Sequence, residues 1–347
     1  MKILKLGRGK KATKLFITHI DLDGAMPIVL YLLQETLDFD LIVTLSYDEI
    51  TEDIVQDFLE FNEIFIVDMS LPYEVAQRLL SAGISLTILD HHESSYKGDD
   101  TTKGLKELSH KNFKYTYDND KCGTLLFKEY LYANGYLPPS EVIDEVVNLV
   151  DTYDRFVTDL VDDTGNSSEN PLWEQALSLN RVFYGMRNYN LPSKDIASIQ
   201  TFIGTMVRRL LTATNFYFDE DEQSIISRAI KRENEITVEC LKNMKVRYDE
   251  RGLKFGVIDL KSKGSIVSRN ILLQRTDLEY LIMINSYKDL KLGVRSLRFN
   301  VLQLDHIKGH KQAAGSDHEV YTPEFCKNFL LQNTSLPYRR EVPQKRR

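Results

Sequence analysis

Cysteine is scarce. The 347 residues hold three, Cys122, Cys240 and Cys326, which are far apart, odd in number and without a Cys-x-x-Cys pair, a pattern that excludes a disulfide framework and a thiolate zinc site. They read as buried thiols. Long apolar runs are lacking too: no stretch reaches the roughly 18 residues that a membrane span needs, and Met1-Lys2-Ile3-Leu4-Lys5 leads into basic residues rather than an apolar signal core. The expectation is a cytoplasmic protein with no membrane partner. An excess of positive charge is also missing, since the balance is −7, which speaks against a chain that coats long nucleic acid. Basic clusters do occur at Lys2, Lys5, Arg8, Lys10, Lys11 and Lys14, and again at Arg339, Arg340, Lys345, Arg346 and Arg347. At chain ends these read as solvated tails. No repeat or low-complexity tract interrupts the rest. With 42% hydrophobic and 27% charged residues, the composition is that of an ordinary globular chain, long enough for two domains with cores of their own.

The first half alternates two kinds of periodicity. Near-continuous apolar runs at 15–18, 40–45, 64–67 and 84–89 read as buried strands, and the segments between them, at 24–35, 53–60 and 73–82, read as helices. Pro72 stands just before the last of these and Gly83 just after it, as helix entry and exit favour. This order predicts an α/β fold with a doubly wound parallel sheet. Residues 93–112 are polar and read as a surface loop. Helices are expected at 123–136 and 140–153, the second closed by Asp151 and Asp154. Residues 158–170 read as a loop and 172–211 as helical with a break at 190–193. A long helix at 219–246 opens with Asp219, Glu220, Asp221 and Glu222 and ends near Lys242 and Lys245, complementing its dipole at both ends. It is expected to connect the domains. Strands return at 254–260, 279–285 and 291–296, with a helix at 265–274. The segment His306-Ile307-Lys308-Gly309-His310-Lys311-Gln312-Ala313-Ala314-Gly315 reads as a basic loop whose small residues and free N–H groups suit an anionic ligand.

Three strands end alike. The first runs into His19-Ile20-Asp21-Leu22-Asp23-Gly24, the third into Asp68, and the fourth into Asp90-His91-His92. Acids and imidazoles at the ends of buried strands are costly unless paired, and a metal ion is the obvious partner. Ligands of open α/β sheets sit beyond the carboxyl ends of the strands, so the three ends would pool their side chains in one crevice. Asp151 or Asp154 would return there as a further ligand. The set lacks thiolate and is hard, which suits manganese, magnesium or ferrous iron rather than structural zinc. Six ligands suffice for two ions with one bridging carboxylate, the arrangement that hydrolyses phosphate esters through a metal-activated hydroxide.

The ordered combination of His19-x-Asp21-x-Asp23-Gly24, Asp68, Asp90-His91-His92 and a helix-terminal Asp followed by an aromatic resembles the four motifs of the DHH-family phosphoesterases. Val294-Arg295-Ser296 and Gly309-His310-Lys311-Gln312-Ala313-Ala314-Gly315 resemble that family's DHH-associated domain. The resemblance spans residues 14 to about 320. It implies a DHH catalytic domain over 1–195, a helical connector over 196–249, a smaller α/β DHH-associated, substrate-binding domain over 250–335 and a basic tail over 336–347.

The resemblance also implies roles. One manganese ion would be held by His19, Asp21 and Asp68, and a second by Asp23, Asp68, His91 and the fourth-motif acid, with Asp68 bridging. Asp154-Arg155-Phe156 fits that motif better than Asp151. Asp90 would orient a histidine, and His92 would lie near the attacked phosphate as a catalytic group. Arg295, Ser296, Gly309 and His310 would hold the nucleotide in a second domain folded over the cleft. There is one departure. The family's Gly-Gly-Gly-His loop is Ile307-Lys308-Gly309-His310 here, which removes backbone freedom where substrate approaches and adds a positive charge. Within the family the chain is most similar to stand-alone nanoRNases, so the implied activity is manganese-dependent exonuclease cleavage of short oligonucleotides or dinucleotides. Cyclic-dinucleotide hydrolysis and removal of phosphate from adenosine 3′,5′-bisphosphate are the alternatives. A homodimer is one assembly such a chain can form.

Overall fold

A computed structural model of the chain describes residues 4–5, 13–98, 103–161, 167–192, 195–260, 264–285, 291–305, 307–310, 313–316 and 321–338. The chain forms two compact units, residues 1–226 and 227–347.

The first unit begins with β1 (Leu4–Lys5), β2 (Lys14–His19), α1 (Leu22–Leu32), β3 (Leu41–Leu45), α2 (Glu52–Phe58), β4 (Glu63–Val67), α3 (Tyr73–Ser81) and β5 (Ser85–Asp90). It continues through α4 (Glu93–Lys97), β6 (Phe113–Tyr117), α5 (Gly123–Ala133), α6 (Glu141–Asp154), β7 (Asp159–Val161), β8 (Ser167–Glu169), α7 (Trp173–Met186) and α8 (Gln200–Thr212). Strands β1-β3-β2-β4-β5-β6 form one sheet in that order. Strands β2 to β6 pair in parallel, and only β1 lies antiparallel, against β3.

Alternation along each strand explains why both faces are covered. Phe16 packs with Phe65 and Val67 into a core shared with α1, α5, α6, α7 and α8, while Leu15, Ile17, Ile64 and Ile66 point the other way, into a core with residues of α2 and α3. A sheet buried on both faces needs apolar residues at every position, as the sequence supplies. Its topology also places the ends. The chain leaves β2 to one side for β3 and returns to the other for β4, so the switch point lies between β2 and β4, where ligand crevices form. Register pairs Thr18 with Val67 and Val67 with Leu89, so His19, Asp68 and Asp90 follow as neighbours at one sheet end.

The second unit takes up most of α9 (Glu220–Asn243), then β9 (Lys245–Tyr248), β10 (Lys254–Asp259), α10 (Gly264–Gln274), β11 (Tyr280–Asn285), β12 (Lys291–Arg295), β13 (Ile307–His310), β14 (Ala313–Ser316) and α11 (Pro323–Leu331). Its sheet runs β13-β14-β12-β11-β10-β9, with β10 and β11 parallel and every other pair antiparallel. The α/β class expected from the sequence holds for both units. Among the described residues no helix is long and apolar enough to cross a membrane, and the three cysteines are buried and free.

Several local expectations are corrected. The helix expected to reach residue 246 ends at Asn243, and Lys245–Tyr248 is the edge strand β9. The polar stretch 93–112 contains the short helix α4. Strand β6, Phe-Lys-Tyr-Thr-Tyr, is a further edge strand whose half-buried and exposed residues alternate, so it lacks the continuous apolar run of its neighbours. The stretch 158–170 carries the two short strands β7 and β8. The segment read as a basic loop is a hairpin of β13 and β14, pairing Ile307 with Ser316 and Gly309 with Ala314; His306, Lys311 and Gln312 lie outside the described residues. Ile307 is fully buried in the second unit's core, and burial of one β-branched side chain anchors the strand. At the other end, Leu336 is also fully buried and Tyr338 bridges Leu304. Residues 336–338 are therefore part of that core rather than of a tail, and 339–347 lie outside the described residues.

The Phe16 ring is the hub of the first core, with ring centroids 5.1 Å from Phe39, 5.4 Å from Phe127, 5.9 Å from Tyr31 and 6.1 Å from Phe65. Phe16→Ala is expected to cost about 3–5 kcal/mol of stability, as large aromatic deletions in close-packed cores do, read as a lowered midpoint in urea unfolding followed by circular dichroism.

Candidate metal centre

The centre is assembled from the ends of β2, β4 and β5 and from two helices. After His19 the chain turns straight into α1. Asp21 is the N-cap, and its Oδ1 accepts the Gly24 N–H at 3.0 Å, while Oδ2 lies 2.9 Å from His19 Nδ1. Gly24 is required here. A Cβ on it would lie 2.1 Å from the His19 carbonyl oxygen. Asp23, in the first turn of α1, is 1% exposed, and its two oxygens accept the N–H groups of Gly123 at 2.7 Å and Thr124 at 2.8 Å. These donors open α5, whose N-terminal partial positive charge faces the carboxylate. Gly123 also fits closely: a Cβ there would sit 2.5 Å from Asp68 Cβ and 2.7 Å from Asp68 Cα.

Asp68 follows β4 with φ of 60°, a left-handed conformation that non-glycine residues rarely adopt and that clusters at functional sites. It is 2% exposed. One oxygen lies 3.3 Å from His91 Nε2 and the other 3.9 Å from His19 Nδ1. Asp154, at the end of α6, brings Oδ2 to 3.4 Å from His91 Nε2, and Asp23 Oδ2 is 3.9 Å from the same nitrogen. Ligand atoms thus gather in overlapping groups, His19 with Asp21 and Asp68, Asp23 with His91 and Asp154, and Asp68 with His91 and His92. The candidates His19, Asp21, Asp23, Asp68, His91 and Asp154 are each in one of them.

Asp151 is not. Its Oδ1 accepts the Cys122 N–H at 2.7 Å and Arg155 Nε at 3.0 Å, and its Oδ2 accepts Arg155 Nη2 at 2.7 Å. Its carboxylate is occupied by those donors, which leaves Asp154 to face His91.

Asp90 is fully buried and has a different task. Its Oδ1 accepts the His91 N–H at 2.9 Å and holds His92 Nδ1 at 2.7 Å, and its Oδ2 accepts the Ser70 hydroxyl. Burial alone would raise the Asp90 carboxyl; the charges of His92 and His91 and the Ser70 hydrogen bond reverse that and hold it below the usual range. Burial likewise disfavours the His92 and His19 imidazolium forms, and Asp90 and Asp21, respectively, more than compensate, so both imidazoles titrate above the usual histidine range. Asp21 is held low against its own burial by His19 and the Gly24 N–H.

Asp68 and Asp154 stand on the other side of this balance. Burial and the charges of Asp23 and Asp21 push both far above the ordinary carboxylate range. Asp68 Oδ2 and Asp154 Oδ2 are buried and have no hydrogen-bond partner among the described residues. Unsatisfied carboxylate oxygens in a crowd of acids are what a divalent cation would satisfy, and the oxygen and imidazole donors without thiolate suit a hard ion. The residues present fit such an ion.

Sequence reasoning missed Ser70, Gly123, Thr124 and Tyr47. The Tyr47 ring lies 6.0 Å from that of His19 and 5.9 Å from that of His92. The Gly-Thr pair opening a helix was the one available signal, since free N–H groups at a helix start bind anions. In the second unit, the Ser296 hydroxyl donates to the Glu279 carbonyl at 2.6 Å and accepts the Arg298 and Phe299 N–H groups at 3.1 and 2.7 Å. Arg295 donates to the Val294 carbonyl at 3.2 Å. Gly309 and His310 are in β13.

With this fold and centre the chain resembles the DHH-family phosphoesterases, and its architecture is that of a DHH domain. In sequence it is similar to the oligoribonuclease NrnB of Bacillus subtilis (strain 168), with 25% identity over 221 residues covering 60% of this chain and 48% of that protein. The chain thus spans about half the length of the curated relative it matches. In structure it is similar to the DHH domain of a member of a ribosomal-protein family, with TM-score 0.56 and 13% identity over 94% of this chain and 88% of the other. A structure of the exonuclease RecJ bound to manganese matches with TM-score 0.49 and 17% identity over 93% of this chain and 91% of that one. No family model matches the chain.

Removing a carboxylate from the crowd relieves repulsion. Asp68→Asn is expected to raise the melting temperature of chelator-treated protein at pH 7, by about 2–4 °C per kcal/mol relieved. Gly123→Ala, which drives a methyl group into Asp68, is expected to lower it, consistent with about 1–3 kcal/mol for overpacking; both shifts are read by calorimetry.

Proposed function

We propose that the protein is a metal-dependent phosphodiesterase that hydrolyses short oligonucleotides, as a nanoRNase-like exonuclease. The observation that carries this reading is the pair of buried carboxylate oxygens that accept no hydrogen bond among the described residues, Asp68 Oδ2 and Asp154 Oδ2, set among Asp21, Asp23, His19 and His91. The likeness to an oligoribonuclease supports the substrate class.

In this reading His19, Asp21 and Asp68 would hold one manganese ion, and Asp23, His91 and Asp154, together with Asp68, would hold another. When bound, such ions supply positive charge that offsets the charge building on a phosphate under attack and make water more acidic. The protein's own residues do the rest. The N–H groups of Gly123 and Thr124 fix the Asp23 carboxylate. Asp90 fixes the His92 ring through Nδ1 and, with its negative charge, favours the protonated form. His92 can then donate from Nε2 to a phosphate oxygen as charge develops there. Arg295, Ser296, Gly309 and His310 of the second unit are proposed to serve nucleotide binding. For Ser296 that role is shared with holding the turn after β12.

The test is hydrolysis of a labelled dinucleotide, pentanucleotide and 24-mer, a cyclic dinucleotide and adenosine 3′,5′-bisphosphate, with and without manganese. The dinucleotide and pentanucleotide should turn over at least about tenfold faster than the 24-mer, and chelation should abolish the reaction; exclusive turnover of the cyclic or bisphosphate substrate would sink the substrate assignment. Asp154→Asn is expected to lower activity by about 100-fold or more, as loss of a tuned metal site does, and to weaken manganese binding in calorimetric titration. Asp151→Asn, which strips Arg155 of its partner, should instead lower stability, and a larger loss of metal binding with Asp151→Asn would exchange the two assignments.

A further inference from the structure

Tyr47 is exposed where the surrounding chemistry is buried. It follows β3 as the first residue of a one-turn 3₁₀ helix, Tyr47–Glu49, and is 43% exposed. Its ring nevertheless meets both His19, at 6.0 Å, and His92, at 5.9 Å and 77°. The turn that carries it is tied down: Glu49 Oε2 accepts the Ser46 N–H at 3.0 Å and the Ser46 hydroxyl at 3.2 Å. A fixed aromatic with open surface, next to the histidine placed to meet a phosphate, is the geometry of a stacking platform. A phosphate hydrogen-bonded to His92 would put the neighbouring nucleoside's base, one sugar away, within reach of the Tyr47 ring.

We propose that Tyr47 stacks on a nucleobase of the bound substrate and makes the centre selective for nucleotides over phosphate esters that lack a base. This rests on the reading of the centre as one that binds nucleotide phosphates. Stacking is tolerant of base identity because every base offers a π face, so the platform would select for the presence of a base and not for its sequence.

Two measurements test it. In Tyr47→Trp protein with manganese present, adenosine 5′-monophosphate should quench the new tryptophan's fluorescence while ribose 5-phosphate at equal concentration should not. The native Trp173 is fully buried and serves as the unresponsive background in the unsubstituted protein. In kinetics on a dinucleotide, Tyr47→Ala should raise KM by about 5- to 150-fold, the range for losing one base–aromatic stack, with kcat within about twofold; Tyr47→Phe should restore KM. A fall in kcat at unchanged KM would overturn the proposal and make Tyr47 a positioning residue for the two histidines. Equal quenching by the two phosphates would overturn it as well. Should no oligonucleotide be hydrolysed, the functional reading fails, while base-dependent quenching still decides the role of Tyr47.

Discussion

Four carboxylates, Asp21, Asp23, Asp68 and Asp154, are drawn into one largely buried space, and the rest of the first unit is arranged around the cost of that. Like charges in a medium of low polarity repel strongly, and each must be matched by a donor or a cation or else take up a proton. Two of the four are matched within the protein. Asp21 caps α1 and pairs with His19, and Asp23 receives two N–H groups from the start of α5. The other two, Asp68 and Asp154, share the His91 imidazole nearby, and each keeps a buried oxygen that accepts no hydrogen bond among the described residues. A fold optimised for stability alone would not retain them, which is why this corner is read as a place built for something that binds.

The backbone bears part of the same load. Asp68 occupies a left-handed conformation at the end of β4, a cost that persists only where the surroundings overdetermine it. The surroundings here are two close approaches. Gly123 lies against Asp68 with no room for a methyl group, and Gly24 lies against the His19 carbonyl in the same way. Removing both side chains lets two helix N-termini come within hydrogen-bond distance of carboxylates. Sheet, helices and charge cluster are therefore one construction: the parallel strands aim their ends at the crevice, and the glycines let the helices close on it.

The second unit shows how a sequence departure is absorbed. Where the family pattern calls for consecutive glycines, this chain has Ile307 and Lys308, and the segment forms a strand rather than a free loop. Ile307 contributes its side chain to the core formed with Phe255, Tyr280, Val294 and Tyr321. The gain in burial offsets the lost backbone freedom. Ser296 shows a related economy, its hydroxyl engaged by the backbone that follows β12.

Much of the fold was legible in the residues themselves. Strands β2 to β5, the helices between them and the pooling of His19, Asp68 and Asp90 follow from apolar runs with polar ends, because a doubly covered parallel strand leaves its sequence little freedom. Edge elements were not legible: β6, β9 and the β13–β14 hairpin carry mixed sequences, since an edge is only partly buried. The donor Ser70 was equally silent, and Gly123 and Thr124 signalled only a helix start, because a hydrogen bond between residues far apart in the chain leaves no local pattern naming its acceptor. The choice between Asp151 and Asp154 shows the division most plainly. Lying three residues apart on α6, they share one helix face, so the residues alone placed an acid near the centre, and only the likeness of Asp154-Arg155-Phe156 to the family motif favoured Asp154. Tertiary structure tells their surroundings apart: Arg155 and the Cys122 N–H engage Asp151, and Asp154 faces His91, a difference that rests on contacts between residues far apart in the chain.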